Sequence, residues 1–441
     1  MRPILYTLTS SLHGEMAPDP RQEPFIRELE AALGAAFDCR GADFSSYHSA
    51  APDAPEIIYV RTGGTEGLFL EHVAPLLPGA GTTVRPVLLL ASGQSNSLAA
   101  SMEILSWLQQ RGIPGEILHG TPATIASQLS SSPARHGETM TEALTPETFG
   151  RILEGKRFGV IGRPSDWLIS SNVDYAAARE NLGPELIDIP IEELVAEVRN
   201  EAGACDSSAP KMGNFGADPA FETGVGAEKG QNRCQPTELK PLNKPKYGRK
   251  IDADDWGGAL AIYDALKTLA GRYRLDGLTL RCFDLLTALH NTGCLALARL
   301  NAEGITATCE GDVPAMLSMA VARALTGRSS FQVNLSRIEG DRLLFAHCTV
   351  PLDIVEDYCY DTHFESGIGV ALHGRVPEGP VTLFKISPDF RRMFRREAKL
   401  VANPYEDNLC RTQVVVEAPG AAAYFLQEPI GNHHIIVPGI L

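Results

Sequence analysis

The stretch Gly304-Ile305-Thr306-Ala307-Thr308-Cys309 followed by Glu310-Gly311-Asp312 reads as a β-strand with a carboxylate and a glycine turn at its carboxyl end. Residues 314–325 follow as a helix ended by Gly327. Strand, polar loop, helix is the βα unit of a parallel sheet, and the unit recurs upstream. Ile57-Ile58-Tyr59-Val60 leads into Arg61-Thr62-Gly63-Gly64-Thr65-Glu66, and Val87-Leu88-Leu89-Leu90 into Ala91-Ser92-Gly93-Gln94-Ser95-Asn96-Ser97 and a helix over 98–111. Loops at the carboxyl ends of such strands are where ligands bind. Gly63-Gly64 and Ser95-Asn96-Ser97 are therefore candidate substrate loops, with a plain tight turn as the alternative for the glycines. Neither loop matches a GxGxxG or GxxxxGK[ST] phosphate pattern, so a nucleotide is not indicated.

A second α/β unit begins near Lys156, with Phe158-Gly159-Val160-Ile161-Gly162 as a buried strand and Arg163-Pro164-Ser165-Asp166-Trp167 as its loop. Over 201–250 apolar periodicity is lost, and the segment reads as an insertion with little order of its own. Order returns with an amphipathic helix over 256–269, a strand over 278–283 and a helix over 293–300. After Gly327 helical periodicity fades. Short β-like runs at 343–346, 369–372, 381–384, 412–417 and 434–437 point to a sandwich or barrel.

With 441 residues the chain suits about three domains of roughly 150 residues, placed at 1–155, 156–328 and 329–441. An apolar fraction of 44% and a mean hydropathy of −0.07 fit an ordinary globular protein. The excess of 54 acidic over 39 basic residues, net −15, argues against nucleic acid or an anionic membrane as the main partner. The basic run Arg391-Arg392-Met393-Phe394-Arg395-Arg396 reads as a solvated helix face. Nine cysteines without CxxC pairs read as reduced thiols of a cytoplasmic protein. The N-terminus lacks the apolar core of a signal peptide, and no apolar run is long enough to span a membrane.

Chemistry concentrates in the last third. Glu310 and Asp312, Phe331-Gln332-Val333-Asn334, Ala346-His347-Cys348-Thr349 and Gly431-Asn432-His433-His434 offer oxygen and imidazole donors suited to a divalent transition ion. Such an ion polarises a carbonyl and its neighbouring hydroxyl.

In their order and spacing these segments resemble the L-fucose/L-arabinose isomerase family, specifically its short fucose isomerase-like branch. The Cys-Glu-Gly-Asp core is similar to the GEGD and END segments of the two enzymes, His347 sits where arabinose isomerases carry a ligand histidine, and Gly431-Asn432-His433-His434 resembles the C-terminal HH or NH element. The resemblance implies two Rossmann-like α/β domains followed by a C-terminal β-rich, barrel-like domain. It also implies a divalent metal, usually Mn²⁺, aldose–ketose isomerisation through an enediol, and a homo-oligomer, trimer or hexamer.

Carried over, Glu310 is metal ligand and acid/base, His347 is a ligand, and the last ligand is His433 or His434. Alignment to Gly439 favours His433, and alignment to Gly431 favours His434. The second carboxylate falls at Asn334 in the fucose isomerase spacing, or at Val333 in the arabinose isomerase alignment. An amide oxygen can ligate a metal but is no base, so Asn334 is a ligand candidate and Asp312, Asp284 or a metal-bound hydroxide the stand-in for the missing acid. Further candidate substrate contacts are Arg281, whose fork suits either an anionic group or an ion pair beside Asp284, Trp167 as a wall for a sugar ring or a domain-interface packer, Glu365 in His363-Phe364-Glu365-Ser366-Gly367, which also reads as a turn, Asn432, and Arg61. Family loops reach a neighbour's site, which assigns that role to Arg61 and Gly63-Gly64. The alternatives are a metal-dependent lyase or epimerase on this scaffold, or a non-catalytic sugar-binding protein.

Overall fold

The structure, a computed structural model, describes residues 2–10, 19–48, 54–77, 85–130, 140–206 and 251–441. The expected insertion at 201–250 lies outside the described residues, except where the helix Ile191–Asp206 enters it.

β1 (Ile4–Leu8), β2 (Asp38–Gly41), β3 (Glu56–Val60), β4 (Val87–Ala91) and β5 (Gly115–Leu118) form a parallel sheet in the order β2-β1-β3-β4-β5. β1 and β3 are buried along their whole length, which is why they read as continuous apolar runs rather than alternating ones. The helix Ser97–Gln110 is buried from Ser97 through Leu108. It lies between this sheet and the C-terminal strands, and its Leu98, Met102 and Leu105 share one core with Phe331, Val333 and Phe345. β6 (Glu142–Ala143) is a short strand that joins the C-terminal strands instead.

β7 (Arg157–Ile161), β8 (Glu185–Ile189), β9 (Gly277–Leu280) and β10 (Thr306–Cys309) form a second parallel sheet, order β10-β9-β7-β8. The helix Val313–Thr326 after β10 has ten consecutive buried residues, Val313 to Ala322. It packs between Phe158 and Val160 on one side and Phe384, Ile386 and Ile435 on the other.

The remaining strands are β11 (Phe331–Glu339), β12 (Arg342–His347), β13 (Asp357–Asp361), β14 (Ala371–Arg375), β15 (Gly379–Ile386), β16 (Arg392–Ala402), β17 (Thr412–Glu417) and β18 (His434–Pro438). Six of them pair antiparallel as β15-β18-β11-β12-β17-β16, and β15 pairs back onto β16, closing a six-stranded barrel. Closure removes the exposed edges that an open sheet would leave. β13 and β14 form a separate hairpin.

The basic run at 391–396 is not a helix face. From Arg392 it is β16, with Met393 and Phe394 buried and paired to Lys385 and Ile386 of β15. Barrel pairing overrides what the charged residues suggest locally. Arg395 reaches Glu142 of β6 at 3.0 Å, so that charge is spent on an ion pair. No helix among the described residues is long and apolar enough to cross a membrane.

Candidate functional site

The carboxyl end of β10 turns sharply. Glu310 has φ 65° and Gly311 φ 68°, two successive residues in the left-handed region. A Cβ on Gly311 would lie 2.5 Å from the carbonyl oxygen of Arg163, so only glycine fits against the 163–167 loop. The turn delivers the Glu310 side chain to the barrel end and starts the helix Val313–Thr326, which Asp312 caps by accepting from Ala315 N at 2.6 Å. Gln332 of β11 ties β10 to the barrel: its Oε1 accepts from Cys309 N at 2.8 Å.

Three neighbouring barrel strands supply the other groups. Asn334 of β11 pairs with Ala346 of β12, one residue before His347. Val333 pairs with His434 of β18, one residue after His433. Donor atoms of Glu310, His347 and His433 all lie within 4.8 Å of one another. Glu310 Oε1 is 3.3 Å from His433 Nε2 and 3.8 Å from His347 Nε2. A metal shell of about 2.1 Å radius sets neighbouring donors about 3.0–3.4 Å apart, close to this spacing.

The far nitrogens are fixed. His433 Nδ1 is 2.9 Å from Asp312 Oδ2, and His347 Nδ1 is 2.8 Å from Thr349 Oγ1. Metal-binding histidines usually have the second nitrogen held this way, which turns the first toward the ion. Asn334 Oδ1 is buried without a hydrogen-bond partner among the described residues, and the buried His433 Nε2 faces the Glu310 carboxylate without a well-formed hydrogen bond. Buried polar atoms are rarely left so, and a cation beside Glu310 would satisfy both. The donor set therefore fits a divalent metal.

Burial alone would raise the Glu310 carboxyl, but the imidazoles of His433 and His347 outweigh it and hold it well below the usual carboxylate range. Burial would lower His433, yet Glu310 and Asp312 push it up to about 10. The pair behaves as a carboxylate facing a positive charge, the charge an ion would carry.

A cavity with about 400 Å³ of empty space opens beside these groups. Its carboxyls are Glu66, Glu310 and Glu365, and its amides Asn96, Asn334 and Asn432. Trp167 and Phe283 pack edge to face at 5.0 Å as an aromatic wall, and Trp167 Nε1 donates to Glu310 Oε2 at 2.7 Å. A more enclosed chamber shares Glu310, Asn334 and Glu365 and adds His347, His363 and the thiols of Cys294, Cys309, Cys348 and Cys410. No lysine or arginine lines either chamber among the described residues. Glu66, Asn96, Trp167, Phe283 and Glu310 all follow the carboxyl ends of parallel strands.

Several expected contacts lie elsewhere. His434 is not a ligand: Nε2 is 2.8 Å from Tyr424 Oη and Nδ1 is 3.0 Å from Asn432 O. Burial in that aromatic core lowers its pKa to about 3. Asp312 points at His433 and, at 3.5 Å, at the buried Lys385, so it positions a ligand rather than facing the cavity. Arg281 is paired with Asp166 at 2.6 Å and Asp284 at 3.0 Å and donates to Pro164 O. It braces the loop that carries Trp167, and neither it nor Asp284 lines the cavity. Arg61 is bound to Glu23 and does not line the cavity, while Gly63 and Gly64 do. Trp167, Glu365, Asn334 and Asn432 do line it.

Two acids were missed as site residues. Glu66 ends the polar loop after β3 and lines the cavity, with no motif around it that marks the position. Glu103, inside the helix Ser97–Gln110, accepts from Ser170 N at 2.7 Å and Asn432 N at 2.8 Å, fixing the backbone beside His433. A glutamate fully buried in an otherwise apolar helical stretch was the available signal.

No protein-family profile matches the chain, and no curated protein matches it in a sequence comparison.

Proposed function

We propose that this chain is a metal-dependent aldose–ketose isomerase, an intramolecular oxidoreductase acting on an uncharged sugar, with the two parallel sheets as Rossmann-like units that frame the site. The observation that carries the reading is the convergence of Glu310, His347 and His433 at one end of a polar cavity. Two imidazoles and a carboxylate, with the Asn334 amide beside them, suit Mn²⁺, Fe²⁺, Co²⁺ or Zn²⁺. The resemblance of the same segments to fucose and arabinose isomerases favours Mn²⁺. A bound ion would polarise the substrate carbonyl and the adjacent hydroxyl.

The residues divide the remaining work. Glu310, ionised, takes the proton from the carbon next to the carbonyl and returns it to the former carbonyl carbon. Trp167 holds one Glu310 oxygen and steadies the carboxylate. Asn96, Asn334 and Asn432, with Glu365, offer donors and acceptors for several hydroxyls, and Trp167 and Phe283 an apolar face for the carbon chain. Among the described residues the lining consists of carboxyls, amides and aromatic rings with no lysine or arginine, which favours a neutral polyol over a phosphorylated, sulfonated or carboxylated sugar.

The test has two parts. Elemental analysis of protein purified without chelator should give about one divalent ion per chain, and His433→Ala should lose it. A screen of neutral aldoses and ketoses with Mn²⁺ should show interconversion that Glu310→Gln abolishes. No stoichiometric metal, even after Mn²⁺ addition, would sink the reading. Metal binding with release of two fragments would replace it with a lyase.

A further inference from the structure

An aldose–ketose exchange moves two kinds of proton, one on carbon and one on oxygen. Position 334 carries an amide, which leaves the barrel without a second carboxyl at the place the sequence resemblance expects one. The first sheet brings one to the same cavity. Glu66 follows the Gly63-Gly64 turn after β3, is 2% exposed, and lines the same cavity as Glu310 and Asn334. Its Oε2 is buried without a hydrogen-bond partner among the described residues. The other two lining acids are engaged: Glu310 accepts from Trp167 and Glu365 accepts from Asn96 Nδ2 at 2.8 Å.

We propose that Glu66 is a second catalytic carboxyl, acting in its acid form to protonate the substrate's carbonyl oxygen and to recover that proton from the neighbouring hydroxyl. The inference rests on the isomerase reading. In the forward step the C2–H bond breaks and its proton goes to Glu310. The electron pair becomes the C1=C2 bond, the carbonyl π pair moves to O1, and O1 takes the proton of Glu66. In the second step the O2–H proton passes to the Glu66 carboxylate and C2=O forms. C1 then takes the proton held by Glu310. Both carboxyls end as they began, and no outside reagent is needed.

The surroundings of Glu66 agree. Burial, helped by the charges of Glu103, Glu310 and Glu365 and opposed by a hydrogen bond from its own N–H, pushes its carboxyl up to about 8. A neutral carboxyl also donates a hydrogen bond, as an ionised one does not.

The test compares wild type with Glu66→Gln in the Mn²⁺-loaded protein. The expected result is a fall in kcat of about 10²- to 10⁴-fold with KM and Mn²⁺ stoichiometry close to wild type. The wild-type kcat should decline on the alkaline side as the acid form is lost, and Glu66→Gln should lack that limb. Wild-type kcat in Glu66→Gln, or a slowed variant that keeps the limb, overturns the inference and leaves the isomerase reading standing. A wild-type protein that interconverts no aldose with ketose overturns that reading and this inference with it. If Glu66→Gln also loses its metal, Glu66→Asp decides. An alkaline limb displaced along the pH axis supports the role, and an unmoved one overturns it.

Discussion

Asp312 does three jobs with one buried carboxylate. It caps the helix Val313–Thr326, faces the amine of Lys385, and holds His433 Nδ1 so that Nε2 points at Glu310. Asp312→Asn keeps a capping oxygen but loses the charge. The hydrogen bond that orients a metal-binding histidine commonly contributes about 10- to 100-fold in affinity, so the variant should bind Mn²⁺ more weakly by that factor in a metal titration. It should also be less stable, because Lys385 is left as an unpaired buried cation, a change that costs about 3–5 kcal/mol when a buried pair is broken. Adding Lys385→Met to Asp312→Asn separates the effects. Thermal stability should recover in part while metal affinity stays low. Recovery of both would mean that Asp312 acts on the metal only through the fold.

The turn from β10 into its helix is the element on which the site depends. Glu310 sits at φ 65°, a conformation that costs a non-glycine residue about 1–3 kcal/mol, and its contacts with Trp167 and the histidines hold it there. Gly311→Ala would add similar strain at φ 68° and press a methyl into the Arg163 backbone. We expect a loss of at least about 1–3 kcal/mol in a denaturant titration, and weaker Mn²⁺ binding because the 163–167 loop must move. Unchanged metal affinity in a destabilised variant would show that the turn does not set the ligand position. Much of this element was legible beforehand: strand, acid, glycine and helix are local patterns, and Gly327 does end the helix at φ 70°. The β-like runs after Gly327 left a sandwich or a barrel open; those at 343–346, 381–384, 412–417 and 434–437 are barrel strands, while 369–372 leads into the separate β13–β14 hairpin. The barrel's closure was not legible, because β15 meeting β16 depends on pairing between segments. The same non-locality hid β16 behind its arginines. It also left His433 and His434 unresolved, as only the fold shows that Tyr424 takes the second ring. Arg281 misled because its closer partner, Asp166, comes from a loop far away in sequence, while only Asp284, three residues on, is local.

At the scale of the whole molecule, His119 joins the first sheet to the barrel. Its Nε2 accepts from Ile338 N of β11 at 3.1 Å, which leaves Nδ1 to donate to Ala91 O of β4 at 2.9 Å. Both bonds need the neutral ring, and burial lowers its pKa to about 4. The unfolded chain, at the ordinary value near 6.5, takes up a proton first as pH falls. Stability contributed here is therefore complete above about pH 6.5 and lost as pH drops toward about 4, by roughly 3 kcal/mol in all. His119→Gln should flatten that part of the stability curve measured by denaturant titration between pH 7 and 4. A slope identical to wild type would remove His119 as its source. The cavity follows the same plan, with Glu66 and Asn96 from one sheet, Trp167 and Glu310 from the second, and Asn334 from the barrel, whose His347 and His433 stand behind Glu310. A ligand that touches all three can bind only while they are assembled. Its occupancy therefore reports on assembly, and saturation at about 100 times Kd should hold the three parts together by a further ~2.7 kcal/mol. Calorimetric melting with Mn²⁺ and a bound polyol should then merge any separate transitions into one.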